Sequence, residues 1–205
     1  NDKYLSFWKN FGAVIKEGLY ELNEYHEKIL SLVRFENSLD SNFISLNDYE
    51  KKIIKNQKEI YYFANTDKDH IKNSPQLEAF TANKIPVLFM TDAVDEFWLQ
   101  NVRNFKEKEF KSITKGKVDI SNLKDAKNNN QKIKKNNKIN DLINVLKVEL
   151  KEKISDVIIS DRLTKSPIML VADESSMDIN MEKLMKMHNK SAPDSKKILE
   201  INSDH

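Results

Sequence analysis

No cysteine occurs in this chain of 205 residues, which excludes disulfides, thiolate metal sites and cysteine nucleophiles together. Glycine is almost as scarce. Gly12, Gly18 and Gly116 stand far apart, so no glycine-rich loop lets the backbone close on a phosphate. Charge of one sign is missing too: 34 basic residues against 32 acidic ones leave a net charge of +2, too even to point to nucleic acid or a membrane surface. Apolar runs stay short, IPVLFM from Ile85 to Met90 being typical, so nothing in the sequence spans a bilayer, and no stretch reads as a signal peptide. The four histidines, His26, His70, His188 and His205, lack the i, i+4 pairing of a helical metal site and read as surface or packed side chains. A cytoplasmic address fits the absent cysteines.

What is present has a clear order. Apolar residues recur at helical spacing from Tyr4 to Phe35 and predict two helices broken between Gly18 and Asn23. SLNDYEKK starts a third helix, with Ser45 as its N-cap and Asp48 three residues on. From Glu59 the rhythm changes to strand (EIYYFAN), helix (with Pro75 opening a second one), buried strand (IPVLFMTD) and helix (VDEFWLQNVRNF). That alternation predicts a small parallel αβα layer, to which KEFKSIT adds an edge strand from Lys108 to Thr114.

Lys124 to Lys138 then carries six lysines and one aspartate among asparagines, a composition that cannot bury enough apolar surface to offset ordering, and reads as a linker. No aromatic residue interleaves with these lysines, which argues against nucleic-acid binding. Beyond it come an amphipathic helix (Asp141 to Lys153), two strands (SDVIISDR and SPIMLVAD), a methionine-rich helix and a third strand, KKILEIN. The fold class is therefore α/β and α+β: a helical connector over residues 1–58, an αβα subdomain over 59–115, a linker over 116–138 and a second small α+β domain over 139–205. Opening on Asn1 and stopping at His205, just after a strand, the chain reads as an excised fragment.

Catalytic chemistry finds little footing. Asp92, Asp95 and Glu96 gather carboxylates where α/β folds often place sites, but helix capping and the helix dipole explain the same residues without a reaction. Attention passes to apolar residues that no core obviously claims. Phe97 and Trp98 point about 100° apart on their helix, so one face does not easily bury both. The stretch SSMDINMEKLMKMHNK holds four of the six methionines, with Ser175 as the expected N-cap; Met177, Met181, Leu184, Met185 and His188 share one side of the helix, and Lys183, Lys186 and Lys190 the other. Two readings stand: a core helix that happens to use methionine, or an exposed face whose unbranched thioethers repack against many partners.

Taken in order, KYLSFWKNFGAVIKEGLYE, SLNDYEKKI, IYYFANTDKDHIKNSPQLEAF, VLFMTDAVDEFW, KEFKSIT, RLTKSPIMLVADESSMDINMEKLMK and ILEIN resemble the heat-shock protein 90 family of molecular chaperones, in its bacterial form, over nearly all of the chain outside the Lys/Asn linker. The resemblance implies that residues 1–115 are the later part of that family's middle domain and that the C-terminal domain opens near residue 139. It further implies an intact protein that is an ATP- and magnesium-dependent homodimeric chaperone of stress response and protein folding, while this piece carries no cofactor or metal, does not hydrolyse ATP and is largely monomeric. Partners would be unfolded or partly folded client proteins, neither nucleic acid nor membrane. Client contact is implied for Phe97, with Trp98 beside it, and for Met177, Met181, Leu184 and Met185. The rival is a structural or dimerisation module whose methionine helix is buried. Two adjacent aromatics at 97 and 98, a lysine-rich linker and Ser203 in place of a frequent proline depart from the family's pattern.

Overall fold

A computed structural model describes residues 2–21, 24–54, 56–118, 120, 137–188 and 194–205. Most of the expected linker, together with Leu22 and Lys190, lies outside the described residues. The chain divides into two compact units, Asn1–Asn73 with Lys84–Ser112, and Ser74–Asn83 with Ile113–His205.

The first unit begins with α1 (Asp2–Tyr20) and α2 (His26–Leu32), two helices with a break where the pattern predicts one. Arg34 closes α2 by donating from one guanidinium nitrogen to the carbonyls of Leu32 and Val33 at 2.9 and 2.8 Å, satisfying carbonyls that a helix end leaves open. Next come β1 (Glu36–Asn37) and α3 (Leu46–Lys52), whose N-cap Ser45 accepts from the Asp48 amide at 3.1 Å as its sequence predicts. The remaining elements are β2 (Glu59–Ala64), α4 (Lys68–Lys72), β3 (Leu88–Met90), α6 (Ala93–Asn101), β4 (Asn104–Phe105) and β5 (Lys108–Ser112); α5 (Glu78–Ala82), with the tight turn Pro75–Leu77 before it, counts with the second unit.

The five strands run in the order β1-β3-β2-β5-β4. The inner three are parallel, and the two-residue strands β1 and β4 close the edges antiparallel. Thus β5 is not the edge strand its sequence suggests. Asn104 and Phe105 fold back on Glu109 and Lys108, covering the outer hydrogen-bonding groups of β5 with a hairpin too short for periodicity to reveal. One apolar cluster joins Trp8 and Leu19 of α1, Leu46 and Tyr49 of α3, Trp98 of α6 and Ile60, Leu88 and Phe110 of the sheet.

Tyr49 brings a polar group into that cluster. The Tyr49 hydroxyl, wholly buried, donates to the Pro86 carbonyl at 2.8 Å and accepts from the Gln57 amide at 3.0 Å and the Tyr61 backbone N–H at 2.9 Å. Burial pushes the phenol above its ordinary range despite the bonds it accepts from Tyr61 and Gln57.

The second unit is α+β. After α7 (Asn137–Glu149) come β6 (Ile154–Ile159), β7 (Ile168–Val171), α8 (Ile179–His188) and β8 (Lys197–Ile201), with strand order β6-β8-β7. The last strand in sequence is central, parallel to β6 and antiparallel to β7. Ile139, Ile143, Leu146 and Leu150 of α7 pack on Ile154, Val157, Leu199 and Ile201, while Met169, Val171 and Leu163 form a second cluster with Ile198. Two carboxylates, Glu200 buried and Glu78 half-buried, fasten the loops. Glu200 pairs with Arg162, which also donates to the Ile113 carbonyl at 3.0 Å. Glu78 accepts from the amides of Thr164, Lys165 and Ser166 and from the Ser166 hydroxyl.

Replacing Tyr49 by Phe leaves the Tyr61 amide and the Gln57 side chain without their acceptor, and about 1–3 kcal/mol of stability is expected to go, read from the midpoint of urea unfolding with an unchanged slope.

Candidate functional site

Position in α6 is set by charge. Asp92 and Asp95 form a capping box at its start, each side chain meeting the other's backbone N–H. Asp95 is wholly buried, and its carboxylate also receives the Trp98 indole N–H at 2.8 Å and the Lys16 ammonium at 2.7 Å. Lys16, from the last turns of α1, is buried as well and reaches Asp92 at 2.7 Å. Burial pushes the Asp95 carboxyl up, and the Lys16 charge, then the hydrogen bonds of Lys16 and Trp98, oppose it. Asp92 and Asp95 are thus occupied in capping and ion pairing, and Glu96 is buried beside them. Among the described residues no group of His, Asp or Glu is placed to hold a metal ion.

The two aromatics part company on this helix. Trp98 is fully buried, its ring 5.5 Å from Phe110 in an edge contact and 6.5 Å from Phe35. It gives no surface to a partner, because its indole N–H faces a buried carboxylate and both sides of its ring are packed. Phe97 is half-buried and meets Tyr20, the last residue of α1, edge to face at 6.3 Å. Of the pair, Phe97 alone presents part of its ring to water.

The methionine helix is docked by its polar side chains. Of the ten residues in α8 only Asn180 and Glu182 are buried. The Glu182 carboxylate accepts from Lys186 at 2.7 Å and from Lys197 and Ser195. Desolvation would raise its pKa, but these three donors outweigh burial and hold it at about 2. Just before the helix, the Thr114 hydroxyl donates to Asp178 at 2.7 Å. Gly116, at φ 64°, lets the chain pass Glu174 where a Cβ would stand 1.5 Å from the carboxylate. The N-terminus lies later than the sequence suggests: α8 begins at Ile179, because Asp173 captures the Ser175 amide and hydroxyl in a preceding turn, so Ser175 is not its N-cap.

Its apolar side chains are left partly open. Met177 is 36% exposed, Met181, Leu184 and Met185 are half-buried, and Met187 is 73% exposed. On the other side a cleft of about 380 Å³ is lined by Ile179, Glu182, Lys183, Lys186, Met187 and Lys197. A helix packed through its methionines would show the reverse, with apolar residues below the surface and Glu182 outside.

The family model described as Hsp90 protein matches residues 1–205, the whole chain. The chain belongs to the Hsp90 family. Similar relatives are the Chaperone protein HtpG of Roseobacter denitrificans and of Rhizobium etli, each 40% identical over 206 residues and 100% of this chain, and that of Paramagnetospirillum magneticum, 38% identical over 99% of it. Each alignment covers 33% of the relative, so this Hsp90 chain spans about a third of their length.

Lys16 and Glu182 are what sequence reading misses in this Hsp90 chain. Both hold a candidate helix in place and both are charged, so a hydrophobic wheel assigns them to water. A lysine within the stripe Trp8, Gly12, Ile15, Leu19 is the signal that could have marked the first.

Glu182 and Glu78, both held at about 2 against an ordinary 4.5, favour the folded state above pH 4.5, and that contribution disappears as the pH falls towards 2. Melting of the second unit followed from pH 7 to 2.5 should fall most steeply below about 4.5, and Glu182→Gln should flatten that slope, since the variant has no charge left to lose.

Proposed function

We propose that the intact protein is an ATP-driven, homodimeric cytoplasmic chaperone of the bacterial Hsp90 type, using magnesium with its nucleotide, and that this chain supplies part of its client-binding surface without hydrolysing ATP. In this reading residues 1–58 are the helical connector and 59–115 the small subdomain of the middle domain, 116–138 the linker, and 139–205 the opening of the C-terminal domain. Non-native client segments meet Phe97 on α6 and Met177, Met181, Leu184 and Met185 on α8. Trp98, with no surface of its own, holds Phe97 in position.

What carries the proposal is the way α8 is attached. A helix anchored by Asn180 and Glu182 keeps its thioethers for other partners. Burying client side chains there yields roughly 25 cal/mol per Å² of apolar area before ordering costs, and flexible methionines accept many shapes. Binding is therefore weak and broad, as a protein that must release varied clients requires. The rival, in which the same side of α8 seals against a second copy, draws on the same half-open face and differs in what it expects of the isolated chain: a dimer by light scattering, and methionines that resist peroxide until the protein unfolds.

The deciding experiment is an amide-resolved titration with an unfolded model protein, repeated with Met177, Met181 and Met185 all changed to Ser. Perturbations gathered on α8 and around Phe97, and lost on α8 in the variant, are expected. If α8 stays silent while the triple change unfolds the second unit, the methionines are structural and the proposal fails.

A further inference from the structure

Resting on the client role given to Phe97, we propose that Tyr20 is a second contact of the same site and that the two rings, with the carboxylates beside them, select client segments in which an apolar residue is flanked by lysine or arginine. Tyr20 closes α1 with its side chain 55% exposed, and its ring stands 6.3 Å from Phe97 at 85°. The Asn101 side-chain amide donates to the Tyr20 carbonyl at 2.6 Å, so the end of α6 fixes the end of α1 and the spacing of the rings with it.

Two half-open rings in edge contact make a small apolar platform at the surface. Carboxylates border it at the end of α1. Glu17 lies one turn before Tyr20, with Glu21 and Glu24 just after it, and all three are exposed. Gln100 and Asn101, exposed at the end of α6, bear no charge. Lys16, the cation of α1 nearest Tyr20 in sequence, is turned inward and buried against Asp92 and Asp95. The face of a tyrosine ring itself attracts ammonium and guanidinium groups. Apolar contact at the rings and cation attraction at their border therefore favour one kind of occupant, an extended basic-apolar segment. The same carboxylates repel an acidic segment of equal hydrophobicity.

The probes are two fluorescent unstructured peptides with the same phenylalanine and leucine content, one flanked by lysines and one by glutamates, titrated into the chain. The lysine-flanked peptide should bind about three- to tenfold tighter at low salt, with the gap closing at about 0.5 M salt. Tyr20→Ser should lower its affinity severalfold, Tyr20→Phe should not, and Glu17→Lys with Glu24→Lys should reverse the preference. Because Tyr20, Glu17 and Glu24 are exposed, unchanged melting would show that these variants fold. If Tyr20→Ser leaves both affinities unchanged while Phe97→Ser lowers them, Tyr20 is no contact and the client role of Phe97 stands alone. If neither change matters, both ideas fall. Equal binding of the two peptides, a preference for glutamate, or a dimer in light scattering that Tyr20→Ser dissolves, would also overturn the proposal.

Discussion

A carboxylate taken out of water must find its hydrogen bonds inside the protein, and the buried Asp95, Glu200 and Glu182 and the half-buried Glu78 show how this chain meets that demand. Asp95 is held by Lys16, Trp98 and its own helix cap, Glu200 by Arg162 and Ser160, Glu182 by two lysines and a serine, and Glu78 by a run of backbone amides. A buried pair of this kind adds little net stability over an apolar substitute, since desolvation consumes most of the attraction. What it adds is direction. A half-made pair costs several kcal/mol, so the helices that carry these acids have one well-defined seat.

For α6 and α8 that seat determines which side faces outward. Packing α8 through Met181 and Met185 would bury more apolar area, but it would take the Glu182 carboxylate away from Lys197 and Ser195. Anchoring through Glu182 satisfies those groups and keeps the thioethers half-open. In α6, Asp95 draws Trp98 inward by its indole N–H, which turns Phe97, one residue earlier and about 100° round the helix, towards the surface and the Tyr20 ring.

Much of the architecture was legible because it rests on periodicity and turn chemistry. Long helices, the buried run at Leu88 to Met90, the Ser45 cap and the three strands of the second unit follow from local residues. The edge strands β1 and β4 did not, because two residues have no period; their pairing is decided by partners elsewhere in the sheet. The start of α8 escapes local reading for a related reason. SSMD reads as a cap followed by an acid, and only the competing claim of Asp173 on Ser175 moves the helix on.

The candidate site was legible as a list of apolar residues and not as an arrangement. A helical wheel places Phe97 and Trp98 about 100° apart without saying which is buried; Asp95, three residues before the indole, is the local clue that decides it. No local clue brings Tyr20 to Phe97, since that contact joins the ends of two helices far apart in sequence. The same limit applies to α8, where hydrophobicity ranks Glu182 as a surface residue and the methionines as core, the reverse of their seats in the fold. An apolar face left half-open inverts the usual rule: it resembles a core in sequence, and polar groups do the packing that keeps it open.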